Sequence, residues 1–279
     1  MQRMTPRFDA MRPTLYPPYR DRAAWQALPG AARWQAAGQA ALRDAAAVPQ
    51  LPLSLWLQFT QNGDRARWEH AYFARRRTLC ALAMAEAVTG DGSYLPAIAD
   101  AAWAICEESA WQLPAHNSYI RDTPQLPLPD VTRPIVDLFA AETGALLATV
   151  YGLLGAALDE YAPGLAARLQ HEVERRILTA YRTEHFWWMG RDDEPMCNWT
   201  PWCTQNVLLA AAQCADGFQI LGQNAGNRGF AGAGVAGKNH VHVHISNFQA
   251  LGLALLLGLH VLGNAAHKIL YFVKAHNGI

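Results

Sequence analysis

The chain has 279 residues, 51% hydrophobic and only 16% charged, against about a quarter charged in an average soluble domain. That composition excludes a disordered chain and a polar coiled coil. A formal net charge of zero gives no reason to expect nucleic acid or an anionic membrane as a partner. The amino-terminal MQRMTPRFDAMRPTLYPP has no apolar run after its arginines, and the longest apolar stretch, Leu251 to Gly263, is short of a bilayer span. Five cysteines without a C-x-x-C pair read as reduced thiols. The expectation is a cytoplasmic protein without a cofactor or metal.

The predicted elements are helices. The Ala-rich stretch from Trp25 to Ala47 predicts a helix interrupted at Pro29-Gly30. After Asp64, RARWEHAYFARRRTLCALAMAEAV carries Trp68, Tyr72, Leu79, Leu82 and Ala83 at helical intervals, and Gly90 ends the run. SYLPAIADAAWAICEESAW places Ile98, Trp103, Ile105 and Cys106 on one apolar stripe and stops before Pro114. A third long helix is expected from Thr132, with Ile135, Leu138, Phe139, Leu146 and Leu153 facing inward. Pro163 opens a helix with an Arg/Glu outer face, GLAARLQHEVERRILTAYRTE, and the last helix of this body follows Pro201. No segment before residue 240 alternates long enough to be a strand, so the body reads as all-α helical hairpins.

A break follows at Asp216. All 23 acidic residues and all ten Trp lie at or before it, with 19 Arg, for a charge of 19 − 23 = −4; the remainder carries one Arg, three Lys and no acid, for +4. The expected division is 1–216, a helical domain, and 217–279, an atypical Gly-rich, His-containing tail. Within the tail, 222–239 is expected to be loosely ordered, while Phe248, Leu251, Leu255, Leu259 and Leu262 form a stripe expected to dock on the body. His240, His242 and His244 would share one face of a strand, which suits adventitious chelation better than a built metal site. GAGVAG lacks the strand and helix that frame a dinucleotide fingerprint.

Two long connections, 112–134 and 185–203, are rich in Pro, aromatic and polar residues, and ordered loops of that length are usually functional. The second holds Phe186, Trp187, Trp188, Trp199 and Trp202 around Arg191, Asp192, Asp193, Glu194 and Asn198. Indoles beside hydrogen-bonding groups suit sugar rings, the aromatic faces covering C–H surface and the polar groups taking hydroxyls. The same rings would serve equally as a plug at the end of the domain. The first loop supplies His116, Asn117, Tyr119, Arg121 and Asp122, residue types fit for an acid–base step and for holding an anion.

In PAHNSYIRDTPQLPLPDVTRPIVDLFAAETGALLA (114–148) and FWWMGRDDEPMCNWTPWCTQNVLLAA (186–211) the sequence resembles the heparinase II/III-like polysaccharide lyases. The resemblance covers roughly 50–216 and implies an α/α toroid, here incomplete, and β-elimination at the uronic acids of acidic oligosaccharides or polysaccharides. It implies that Asn198 neutralises the substrate carboxylate and that His116 is the loop histidine. Asn117, Tyr119, Arg121, Trp188, Trp199 and Trp202 would then bind substrate. The Tyr-bearing segment that relatives carry falls at Ser246-Asn247-Phe248, with no Tyr before Tyr271, and no β-sandwich follows. A truncated or inactive chain, a non-catalytic carbohydrate-binding protein, and a glycoside hydrolase using Glu107-Glu108 or Asp192-Asp193-Glu194 are the alternatives.

Overall fold

A computed structural model describes residues 16–45, 48–190 and 195–214, and every regular element among them is helical. The elements are α1 (Arg22–Gln26), α2 (Ala31–Ala45), α3 (Leu53–Asn62), α4 (Ala66–Thr89), α5 (Leu95–Cys106), α6 (Leu138–Tyr161), α7 (Leu165–Val173), α8 (Ala180–Thr183) and α9 (Trp199–Gln213). A π-helical turn, Glu174–Thr179, joins α7 to α8. The chain divides into two compact units, and all nine α-helices among the described residues belong to the larger one. The expected tail features (loose order at 222–239, the 240–244 histidines and the docking stripe) lie outside the described residues, as do Asp192, Asp193 and Glu194.

Helix α4 is the spine of the amino-terminal half, with α2 along one side and α5 along another. Its expected stripe is in the core: Trp68, Tyr72, Leu79, Leu82 and Ala83 are all buried. Contact with α2 is close enough that a Cβ on Gly38 would sit 2.1 Å from that of Ala85. Gly90 ends α4 in the left-handed region at φ 69°, and its N–H donates to the Glu86 carbonyl at 2.7 Å. Arg22 reaches over this end and donates to the last carbonyls, at Ala87 and Val88.

Helix α6 is the second spine, packed against α4, α5, α7 and α9. It starts at Leu138 rather than at Thr132. Pro134 biases its predecessor away from helical backbone, and Asp137 then caps the helix by accepting from the amides of Phe139 and Ala140 at 3.1 and 2.7 Å. At 24 residues α6 is long and apolar enough to cross a membrane, but 67% of its most apolar window is buried inside the protein, as in a core helix.

Other departures have local causes. Helix α3 has no counterpart among the predicted elements. Helix α5 ends at Cys106, since Glu108 turns inward to meet arginines instead of continuing the helix. Trp103, expected on the buried stripe, is 52% exposed and has the Arg168 guanidinium over it at 5.5 Å. The supposed outer face of the 164–184 segment is partly core: Glu172 and Arg176 are buried and paired at 2.6 Å. Helix α9 begins at Trp199, with Pro201 in its first turn, where a missing N–H costs nothing.

A buried polar network joins the two spines. Glu108 accepts two bonds from Arg76, at 2.8 and 2.6 Å, and a third from Arg75 at 3.1 Å. Arg76 lies over the Tyr72 ring and donates Nε–H to Thr143 on α6. The Tyr72 hydroxyl meets the Trp111 carbonyl at 2.6 Å. Arg176 donates to the Cys106 and Glu108 carbonyls, so the π turn is tied to the end of α5. With its hydrogen bonds satisfied, such a network fixes the relative placement of the helices that carry it.

Candidate functional site

The loop 112–134 is folded by specific bonds. Gln112 donates to the Asn117 side-chain oxygen at 3.0 Å, and the Asn117 amide donates to the Leu126 carbonyl at 2.8 Å. The Leu126 N–H returns a bond to the Asn117 carbonyl at 2.8 Å, and Trp56 of α3 donates to the Pro127 carbonyl at 2.9 Å. Asn117 is fully buried. It is the pin of the loop, with both ends of its side chain consumed.

This pinning places His116, the last residue of a short 3-10 turn (Pro114–His116), beside the start of α6. Its Nδ1 lies 2.6 Å from Asp137 Oδ2. The Asp137 side chain is inaccessible to solvent, and its four bonds go to His116 and to the amides of Leu113, Phe139 and Ala140. A carboxylate acceptor at Nδ1 selects the tautomer that carries the proton there, leaving Nε2 as a lone pair. The imidazole side chain is 14% exposed, a small window on the cleft.

That cleft, about 270 Å³, is lined by His116, Ser118, Ile120, Arg121 and Asp122 from the first loop and by Phe186, Trp187, Trp188 and Trp199 from the second. A row of rings runs through it. His116 and Trp199 have centroids 4.7 Å apart, Trp199 and Trp187 are 4.8 Å apart, and the Arg121 guanidinium lies 5.1 Å from the Trp187 ring. Phe139 backs His116 with a nearly parallel ring at 5.9 Å. Arg121 is half exposed and makes only a loose ion pair with Asp122, at 3.4 Å. Asp122 sits at φ 56°, a left-handed conformation that Asp tolerates better than most residues, and it turns the loop at the cleft rim.

Of the sequence-predicted residues, the structure brings together His116, Arg121, Trp188 and Trp199. Trp188 is part of the floor: it is 1% exposed, stacks on Phe186 and donates its indole N–H to the Val136 carbonyl at 2.8 Å. Tyr119 is not among the lining residues. Its hydroxyl donates to the Arg133 carbonyl at 2.5 Å and its ring lies under the Arg133 guanidinium, itself doubly bonded to Glu184. Asn198 is exposed at the residue before α9 and makes no side-chain capping bond; it precedes Trp199 but does not line the cleft. Trp202 turns into the seam between α6 and α9, toward Glu142.

Sequence reasoning missed Asp137 and Glu142. The first had a legible signal, an Asp directly before the apolar run of α6, which marks a helix cap. The hydrolase pair is not supported at 107–108: Glu107 is an exposed partner of Arg168 at 2.9 Å, whereas Glu108 is locked in the core. Among the described residues no group of His, Cys, Asp and Glu is arranged to hold a metal ion.

The described residues form an all-helical body with an Asp–His pair opening on a tryptophan-walled cleft. No protein-family model matches the chain, and no curated protein matches it.

Proposed function

We propose that the cleft binds an acidic oligosaccharide or polysaccharide and performs β-elimination at a uronic acid, on an incomplete α/α toroid. The observation that carries this reading is the Asp137–His116 pair, which faces a wall of indoles with an arginine at its far end. The indoles supply flat apolar surface for sugar rings, and Arg121 supplies a cation for an anionic substituent. Asn198, which the resemblance casts as the neutral donor to the substrate carboxylate, lies outside the cleft lining, so within the cleft that task falls to Arg121.

In the proposed reaction His116 Nε2 takes the proton from C5 of the uronate, whose acidity rises when its carboxylate is neutralised. The electron pair forms the C4–C5 double bond as the C4–O bond breaks. Tyr119 is already bonded to the Arg133 carbonyl, which argues against it as the acid. The imidazolium of His116 therefore returns the proton to the leaving oxygen, and Asp137 stabilises the charge in between. No net proton is gained or lost.

A second reading, non-catalytic carbohydrate binding, draws on Tyr119 and Asn198. Asn198, expected to act in catalysis, and Tyr119, expected to bind substrate, do not line the cleft. Incubation with a panel of uronate-containing glycans separates the readings. Elimination gives a conjugated double bond that absorbs in the ultraviolet, in step with new reducing ends. Binding without either product favours the non-catalytic reading, and reducing ends without absorbance indicate hydrolysis.

A further inference from the structure

The seam between α6 and α9 buries a carboxyl group that the cleft chemistry does not use. Glu142 follows Asp137 by five residues, and its Oε1 is cut off from solvent without a hydrogen-bond partner. From α9 the Trp202 indole N–H, equally buried, approaches the carboxyl and favours its ionised form, but stops short of hydrogen-bond geometry. The other titratable groups that reach Glu142 among the described residues are Asp137 at the start of α6, Arg76 from α4 and Cys203 from α9; α5, α7 and the π turn contribute none. Burial outweighs these and pushes the Glu142 carboxyl up to about 7.

Trp202 lies three residues after Trp199 on the first turn of α9, so the two side chains project on neighbouring tracks of one helix. Trp199 is the ring in contact with both His116 and Trp187. A displacement of Trp202 would reach the cleft wall through a single turn of helix.

We propose that Glu142 is a positioning residue for that wall: ionised, it draws the Trp202 indole N–H into hydrogen-bond reach; protonated, it releases that ring, and the first turn of α9, which carries Trp199, shifts with it. The coupling goes beyond the glycan reading and does not depend on it. It gives the cleft two arrangements selected by one buried proton.

The test uses the full chain labelled with 5-fluorotryptophan, with the Trp199 and Trp202 fluorine resonances assigned by single Phe replacements. Because protonation of His116 would itself move Trp199, the titration is made in the His116→Gln protein. Both resonances should still shift with a midpoint near 7, and the added Glu142→Gln substitution should abolish that shift while leaving helical circular dichroism unchanged. A Trp199 resonance that is flat in the His116→Gln protein, or that still titrates after Glu142→Gln, overturns the proposal. The carboxyl carbon of Glu142, followed by NMR in the unmutated chain, gives an independent check. A midpoint at the ordinary carboxylate value overturns it even where the double variant does not fold.

Discussion

The imidazole of His116 and the carboxylate of Asp137, 21 residues apart in sequence, meet at 2.6 Å, and the same carboxylate caps α6. The helix start and the orientation of the imidazole are thus one structural event. Asp137 is rigid because helix formation makes it so, and His116 inherits that rigidity.

Asp137→Asn and Asp137→Ala separate the two roles. Asn retains an oxygen for the α6 amides, so unfolding in urea should show a loss well below that of Ala, which forfeits about 1–2 kcal/mol of capping. Both should lower turnover by about 10²-fold or more, because His116 loses its tautomer and its charge partner. An Asp137→Asn protein with full activity would leave the carboxylate a purely structural cap.

Glycan affinity should follow the row of rings. Trp187→Ala and Trp199→Ala are each expected to weaken binding by about tenfold, equivalent to ~1.4 kcal/mol. Arg121→Ala should weaken binding of acidic glycans and remove part of its salt dependence, since the guanidinium is half exposed and screened by ions. Arg133→Ala removes a cation engaged with Glu184 outside the cleft and should leave affinity unchanged. Calorimetric titration at two ionic strengths reads all four.

Stability should depend on charge pairs according to their burial. Removing Glu108 strands Arg76 in the core, both side chains being 4% exposed, and should cost about 3–5 kcal/mol. Removing Glu184 from its half-exposed pair with Arg133 should cost about 0–1 kcal/mol. Denaturant midpoints that rank the two the other way would contradict the assignment of the Arg76–Glu108 network to the core.

Gly38 tests the contact between α2 and α4. Gly38→Ala puts a methyl 2.1 Å from the Ala85 Cβ, an overpacking that should cost about 1–3 kcal/mol despite the better helix propensity of Ala. Ala85→Gly in the same chain should recover part of the loss. Simple additivity in that double-mutant cycle would show that the two positions do not touch.

Much of the scaffold could be read from periodicity. The buried stripe of α4, the Gly90 terminator and the break between α1 and α2 follow from local backbone preference, and local rules capture them. Helix α3 was missed because LSLWLQFTQN is short and its stability comes from Trp56 packing edge-on to Trp68, a contact no window reveals. Trp103 and Arg176 exchanged their expected places because long amphipathic side chains can cover or cross a surface, so residue type alone does not fix depth. Composition singles out the two loops, and His116, Trp199 and Arg121 from them share one cleft. What composition could not give was direction. Asn117 and Tyr119 flank His116 but are turned into loop-closing bonds. The contacts of Asp137 with His116 and of Glu142 with Trp202 arise only in the third dimension.

The most direct measurement compares the unmutated chain with His116→Ala on one uronate-containing glycan that both bind, following the ultraviolet absorbance of the unsaturated product. His116 at the end of the tryptophan row predicts product from the first and a loss of about 10²-fold or more in the second, at unchanged affinity. Equal rates from the two proteins, or no unsaturated product from either across the panel, would contradict elimination at this cleft.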